Sequence, residues 1–148
     1  MSGSDTPPLA DAAVTAWAKL QRVSRSMLEE IESELKAKGL PPLAWYDVLL
    51  ELRREGGLGL RPFQLQERML LAQYNLSRLI GRMTRDGLVE RIPFDDDGRG
   101  QIVRVTAAGR TMQKKMWTVY KAAIWTHFAR RLTDDDIKEI SRVLSKLH

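Results

Sequence analysis

Apolar residues recur at steps of three and four along most of this chain, which is the spacing of one face of an α-helix. The pattern predicts helices over 9–38, 43–55, 62–69 and 73–86, one from Thr106 to Arg131, and a last one that begins after Thr133. Most of the breaks between them contain glycine or proline, as at Gly39, Pro41–Pro42 and Gly87, where a helix does not readily continue.

A short β-hairpin is predicted between the fourth and fifth helices. Its strands are Leu88–Ile92 and Gln101–Val105, and the polar run 95–100 is the loop between them. A short helix, a tight turn, a second helix and a charged hairpin follow one another in the order of a winged helix-turn-helix. The predicted fold class is therefore mainly α with a small β-hairpin wing.

The chain is predicted to divide into four regions. Residues 1–8 form a polar tail, 9–40 an N-terminal helix, 41–105 the winged lobe and 106–148 the C-terminal helices. The outer helices are too long to belong to the winged lobe, and their apolar stripes need a partner surface. A second copy of the chain is the economical partner, so both outer regions are expected to form a homodimer.

The composition excludes several classes of protein. Hydrophobic residues make up 43% and charged residues 29% of the 148 positions, as in an ordinary globular domain. No apolar run approaches the roughly 18 residues of a membrane span, and no secretory signal is seen at the N-terminus. The sequence has no cysteine, which excludes disulfides, thiolate metal sites and thiol-based peroxide sensing. A cytoplasmic protein without a membrane partner is expected.

Positive charge is concentrated in two segments. Lys and Arg number 24 against 19 acidic residues, which gives a formal net charge of +5. Residues 73–85 contain three arginines and no acid, and 106–131 contain six basic residues and no acid, whereas 27–51 contains six acids and two lysines. Net basicity alone is weak evidence for an acidic partner, but this segregation favours distinct basic surfaces.

The fourth predicted helix has two chemically different faces. The apolar side consists of Leu76, Leu79, Ile80 and Met83, and the opposite side of Tyr74, Arg78, Arg82 and Arg85, flanked by Asn75, Ser77 and Gly81. Arginine binds guanine and asparagine binds adenine through paired hydrogen bonds, and a glycine on this side permits close approach of a phosphate backbone. A solvated arginine face is the ordinary alternative. The short helix before it and the charged hairpin after it favour DNA binding.

Four motifs in this region resemble those of the MarR family of bacterial transcriptional regulators. They are LSRLIGRM at 76–83, DGLVER at 86–91, DGR at 97–99 and VTAAGR at 105–110. The family pattern is a helix followed by GLVxR, a wing with Asp-x-Arg, and LTxxGR, in the same order. The specific match covers about 65–110, and the flanking helices agree in type and length only.

The resemblance implies a homodimer whose recognition helices enter the major groove of double-stranded DNA, while each wing reaches the adjacent minor groove. By position, the major-groove residues are Tyr74, Asn75, Ser77, Arg78 and Arg82. In the wing, Arg99 is expected to enter the minor groove and Asp97 to orient it through a bidentate pair.

Three residues depart from the family pattern. Ala72 stands where a serine usually caps the recognition helix, which predicts a looser start of that helix. Leu70 replaces the common turn glycine, and Gly98 replaces a frequent wing arginine. The properties that these departures affect are DNA affinity and site preference.

No metal, cofactor or catalytic site is predicted. The acidic run Asp95–Asp97 lacks the alternate spacing and distal glutamate of a calcium loop, and Asp134–Asp136 are explained by the dipole at a helix start. His127 lies on the apolar side of its helix, where packing or a dimer contact is the expected role. No glycine-rich phosphate loop or nucleophile elbow occurs, so the chain is not expected to be an enzyme.

An effector pocket for a small aromatic or phenolic ligand is a further hypothesis. The resemblance implies that many relatives respond to such ligands where the winged lobe meets the dimer helices. Trp17, Trp45 and Tyr46 come from the first two helices and are candidates to line that cleft, with Arg22 as a carboxylate partner. Packing in the core or at an interface is the alternative role of the tryptophans.

Two functions from different classes remain open. The first is a dimeric, sequence-specific DNA-binding transcriptional regulator that acts on a pseudo-palindromic operator, with repression as the expected direction. The second is a winged-helix module for protein contacts that has no specific DNA site. Substitution of Arg78 and Arg99 separates them, because only the first function loses DNA affinity.

Overall fold

The computed structural model describes residues 3, 5–70, 75–93 and 100–148. Within these ranges the chain forms six α-helices, one two-stranded antiparallel sheet and a short 3-10 helix. The elements are α1 Asp11–Ala37, α2 Leu43–Arg54, α3 Pro62–Arg68, α4 Leu76–Arg85, β1 Val89–Pro93, β2 Gln101–Val105, α5 Ala107–His127, the 3-10 helix Ala129–Arg131 and α6 Asp134–Leu144. The predicted class, mainly α with a β-hairpin, is confirmed.

Most predicted boundaries agree with the observed ones to within a few residues, and two helices differ for physical reasons. Helix α4 begins at Leu76 instead of Gln73, because Asn75 supplies the cap at its N-terminus. Helix α5 ends at His127 instead of Arg131, and a 3-10 helix follows it. Such tighter turns are frequent where an α-helix ends.

The core lies mainly in the winged lobe, where α2 packs on α5 and on the hairpin, and it extends onto α1 and α5. Its most deeply buried side chains are aliphatic or Met and include Leu43, Val48, Leu49, Leu52, Leu65, Ile80, Met83, Val89, Val103 and Met116. Burial of one apolar stripe fixes the rotation of each helix about its axis. Since Leu79, Ile80 and Met83 of α4 are buried, the arginines of α4 face out of the lobe.

The two strands of the hairpin pair in one register, from Val89 opposite Val105 to Pro93 opposite Gln101. A third segment joins them, because Leu60 exchanges two backbone hydrogen bonds with Val103, at 2.9 and 2.8 Å. The sequence pattern does not predict this bridge, since a single paired residue leaves no periodic signal. The bridge anchors the connection between α2 and α3 on the wing.

Gly87 makes the turn from α4 into β1. Its φ is +76°, a region that side-chain-bearing residues rarely adopt, and its amide donates to the carbonyl oxygen of Thr84 at 3.0 Å. The hairpin therefore follows α4 after a turn of only three residues, 86–88.

The two ends of the chain leave apolar side chains exposed. Helix α1 packs along α5, where His127 lies between Glu30 and Glu34 at 2.6 and 3.1 Å. Only Ile31 and Leu35 of α1 are buried, and no residue of α6 is. The exposed apolar residues of these ends include Val14, Trp17, Trp125, Ile140, Leu144 and Leu147. In the ranges that the structure describes, no helix is long and apolar enough to cross a membrane.

Candidate nucleic-acid interface

Helix α4 presents three arginines on the side opposite its buried face. Arg78, Arg82 and Arg85 are exposed and spaced so that they share that side. The helix contains no acidic residue, and none of these arginines forms an ion pair within the described ranges. Unpaired guanidinium groups on one helix face suit phosphate oxygens and the edges of bases.

Asn75 caps α4 through its side chain. Its Oδ1 accepts a hydrogen bond from the backbone N–H of Arg78 at 3.0 Å, which satisfies one of the free amides of the first turn. Ala72, from which a looser helix start is expected, lies outside the described residues, and the cap of α4 is Asn75. The bidentate contact between Asn75 and adenine expected from the sequence needs the same oxygen, so capping and base reading compete for it.

The wing strands add charge next to α4. Glu90 and Arg104 lie opposite each other and form an ion pair, with Nε 2.6 Å from Oε1. Since side chains alternate along a strand, Arg91 points to the other side of the hairpin. The predicted wing residues Asp97 and Arg99, like Tyr74 before α4, lie outside the described residues.

Arg91 is a basic residue for which the sequence pattern suggests no role. Its Nη2 lies 3.5 Å from the backbone oxygen of Ser77 on α4. The same nitrogen is 3.8 Å from the position that a Cβ on Gly81 would occupy. Arg91 belongs to the DGLVER motif, but only the folded hairpin shows that its side chain lies against α4.

A separate cavity of about 790 Å³ is lined mainly by α2, α3 and α5. Tyr46, Trp117 and Tyr120 contribute three rings to it, with centroids 5.1–6.0 Å apart. Arg53 Nη1 donates to Gln113 Oε1 at 2.9 Å, and Gln113 Nε2 donates to the Tyr46 hydroxyl at 3.4 Å. Aromatic surface beside a small polar network suits a planar ligand that carries a polar group.

Both tyrosines of the cavity keep their hydroxyl protons at neutral pH. Burial raises the pKa of Tyr46 above its ordinary value of 10.0, although the hydrogen bond from Gln113 acts in the opposite direction. Burial also raises the pKa of Tyr120, and the nearby charge of Asp47 adds to that shift. The two phenols are therefore neutral groups that can donate hydrogen bonds to a ligand.

The four residues predicted to line an effector pocket do not come together within the described chain. Only Tyr46 lines the cavity. Trp45 is half-buried against the core instead, because consecutive helical residues point about 100° apart. Trp17 is 65% exposed on α1, and Arg22 lines a different hollow together with Arg131.

The fold and the arginine-bearing helix define a winged helix-turn-helix protein, and known proteins share both its sequence and its shape. Residues 38–100 match the model of the MarR family. Over 114 residues the chain is 29% identical to the transcriptional activatory protein BadR of Rhodopseudomonas palustris. That alignment covers 76% of this chain and 63% of BadR, which is less than two-thirds of the relative's length.

Two solved structures superimpose on nearly the whole chain. AbsC, a MarR family transcriptional regulator from Streptomyces coelicolor, is 27% identical, with 96% of this chain and 95% of AbsC covered and a TM-score of 0.82. Sco3205, a MarR family transcriptional regulator from the same organism solved in complex with DNA, is 19% identical, with 98% and 91% covered and a TM-score of 0.86. The chain therefore resembles MarR family regulators, in sequence over residues 38–100 and in fold over nearly its whole length. BadR and AbsC are both described as transcriptional proteins, which agrees with the prediction that the chain is not an enzyme.

Proposed function

We propose that this protein is a sequence-specific DNA-binding transcriptional regulator that works as a homodimer in the cytoplasm. The observation that carries the proposal is the outward side of α4, where Arg78, Arg82 and Arg85 are exposed and free of ion pairs within the described ranges. An α-helix fits the major groove of B-DNA. The complex of Sco3205 with DNA supports the same use of this fold.

In this proposal the base-reading residues lie on α4, in the two residues before it, and in the wing. The proposed major-groove residues are Tyr74, Asn75, Ser77, Arg78 and Arg82, and the proposed wing residues are Asp97 and Arg99. Arg78 and Arg82 each carry a guanidinium fork that matches the O6 and N7 atoms of guanine. Arg99 enters the minor groove, where its charge senses groove width more than base identity.

The terminal regions, 9–40 and 106–148, form the dimer interface in this proposal. Trp17 on α1 and Leu144 on α6 are among exposed apolar residues that a second copy of the chain covers. A two-fold dimer reads two half-sites about one DNA turn, roughly 34–36 Å, apart. The operator is therefore a pseudo-palindrome.

Repression is the proposed direction of regulation, because a dimer that covers a promoter blocks transcription without touching the polymerase. Activation is the second candidate, and the printed name of BadR, an activatory protein, favours it. A reporter fused to the promoter that the protein binds distinguishes them. Deletion of the protein raises expression if it represses and lowers expression if it activates.

DNA binding is tested by fluorescence anisotropy of the purified protein at two salt concentrations. The duplex upstream of its own gene is compared with a scrambled duplex of the same composition. We expect the native duplex to bind more tightly by about 10³-fold or more at the higher salt. Equal and steeply salt-dependent binding to both duplexes reports phosphate contact only, which is the result expected of a protein-interaction module.

Arg78→Ala and Arg99→Ala test the assigned residues in the same assay. Each is expected to cost about 1–3 kcal/mol of specific binding if the arginine reads the DNA. Arg142→Ala is the matched control, because it removes the same charge from α6, where Arg142 pairs with Glu139. No effect of Arg78→Ala beyond that of Arg142→Ala contradicts the assignment.

We also propose that a small aromatic or phenolic ligand binds the cavity and releases the DNA. The support is the three rings of Tyr46, Trp117 and Tyr120 beside the Arg53–Gln113 pair. Salicylate and phenol are suitable probes, with tryptophan fluorescence and loss of DNA anisotropy as readouts. Quenching is expected to disappear in Trp117→Phe and to persist in Trp125→Phe, since Trp125 is on the same helix but does not line the cavity.

A further inference from the structure

Arg91 of β1 lies beside a flank of α4 that has no charge of its own. That flank is formed by the small residues Ser77, Gly81 and Thr84, spaced three and four apart. The hydroxyl of Thr84 donates to the carbonyl oxygen of Ile80 at 2.7 Å, so it is already bonded to the helix backbone. The arginines of α4 itself project from the other flank.

The guanidinium of Arg91 lies beside the backbone of α4 on this flank. Its Nη2 is 3.5 Å from the Ser77 carbonyl oxygen, and it passes over Gly81, where a Cβ would lie 3.8 Å away. An arginine has five N–H donors, and this contact engages one of them. The others face solvent, since Arg91 is exposed.

No carboxylate neutralises Arg91 within the described ranges. Its strand neighbour Glu90 points to the opposite side of the hairpin, where it pairs with Arg104. Within the described ranges the positive charge of Arg91 therefore has no carboxylate partner, and a long hydrogen bond of 3.5 Å places it beside α4.

We infer that Arg91 binds a phosphate of the DNA backbone on the flank of α4 opposite Arg78 and Arg82. The inference rests on the proposed function, because it requires α4 in the major groove. That groove is about 12 Å wide, so a helix inside it has a phosphate strand on each side. A phosphate contact sets the register of the helix and carries no base preference.

The experiment compares Arg91→Met with the wild-type protein on the native and the scrambled duplex over a range of salt. Methionine keeps an unbranched apolar side chain and removes the charge. Loss of one phosphate contact lowers the slope of log K against log salt by about 0.9, which corresponds to about 8-fold weaker binding at 0.1 M salt and about 4-fold at 0.2 M. The loss is expected to be equal on both duplexes.

Arg104→Met is the matched control, because it removes the same charge from the other face of the same hairpin. Arg91→Lys keeps the charge and is expected to bind within about twofold of wild type, since a lysine also binds phosphate. If Arg91→Met does not fold, the DNA affinity of Arg91→Lys tests whether the charge of Arg91 contacts a phosphate. Circular dichroism checks the fold of each variant.

Four results overturn the inference. Three of them are an unchanged salt slope in Arg91→Met, an equal effect of Arg104→Met, and a folded Arg91→Lys with wild-type helicity that binds DNA much more weakly. A loss confined to the native duplex also rejects it, because it assigns base reading to Arg91. If the wild-type protein itself shows no preference for the native duplex, the proposed function fails, and the salt slopes still report whether Arg91 contacts phosphate.

Discussion

The first turn of α5 approaches the backbone of Leu88 so closely at Gly109 that no side chain fits there. A Cβ on Gly109 would overlap the carbonyl oxygen of Leu88 and lie 2.7 Å from Val105 Cγ2. We expect Gly109→Ala to lower the free energy of unfolding by about 1–3 kcal/mol, because the backbone of α5 must move away from the wing. Urea unfolding measures this free energy. A loss below about 0.5 kcal/mol would contradict the prediction, because it would show that α5 can move away from Leu88 at little cost.

The hydroxyl of Tyr120 is predicted to make the folded state sensitive to alkali. Burial raises its pKa above the ordinary 10.0, so the folded protein holds the phenolic proton more tightly than the unfolded chain does. This contribution to stability is fully present below pH 10 and is lost as the pH rises through the folded-state pKa. Urea unfolding at pH 8 and pH 11 is expected to show a smaller alkaline loss in Tyr120→Phe than in wild type. Equal losses contradict the prediction.

At the scale of the element, α4 carries a glycine in its middle that nothing around it requires. A Cβ on Gly81 would meet only Nη2 of Arg91, at an ordinary contact distance of 3.8 Å. We expect Gly81→Ala to raise the free energy of unfolding by up to about 1 kcal/mol through helix propensity. If DNA affinity falls while stability rises, Gly81 serves close approach to DNA, as its place on the polar side suggests. A loss of stability instead would mean that the alanine displaces Arg91.

The sequence predicts an element well where its burial follows a periodic pattern. It predicts less well the boundaries and attachments that depend on a single residue. The stripe Leu76, Leu79, Ile80 and Met83 predicts which side of α4 is buried, because hydrophobic burial dominates the orientation of a helix. The start of α4 depends on the hydrogen bond of Asn75, and the attachment of the α2–α3 connection depends on the pairing of Leu60 with Val103. Neither contact leaves a periodic trace.

Residues from distant parts of the chain are harder still to assign to one site. Tyr46 is identified from the sequence as a candidate for the cavity, but its ring partners Trp117 and Tyr120 come from α5, and only the packing of α2 on α5 brings them together. Trp45 is a tryptophan like Trp117, but its side chain packs against the core and does not line the cavity. The site of Arg91 is equally hard to assign from the sequence. Its contact with α4 depends on the turn at Gly87, which brings β1 back alongside that helix.

At the scale of the whole molecule, the apolar residues of α6 predict that dimerisation and DNA binding are coupled. Helix α6 buries none of its residues within one chain, and Ile140 and Leu144 are exposed. Replacing both with glutamate places two charges in the proposed interface, so we expect a monomer in sedimentation velocity with its helical content retained. Leu58→Glu is the control, because Leu58 is 79% exposed in the loop after α2.

The monomer is expected to lose affinity for a two-half-site operator by about 10²–10⁴-fold, since binding of the second half-site is no longer intramolecular. Its affinity for a single half-site is expected to stay unchanged, because α4 and the wing belong to a core that α6 does not enter. A variant that remains dimeric would place the interface elsewhere. A monomeric variant with wild-type affinity for the full operator would show that a single winged lobe carries the recognition. The second half-site would then contribute no binding energy.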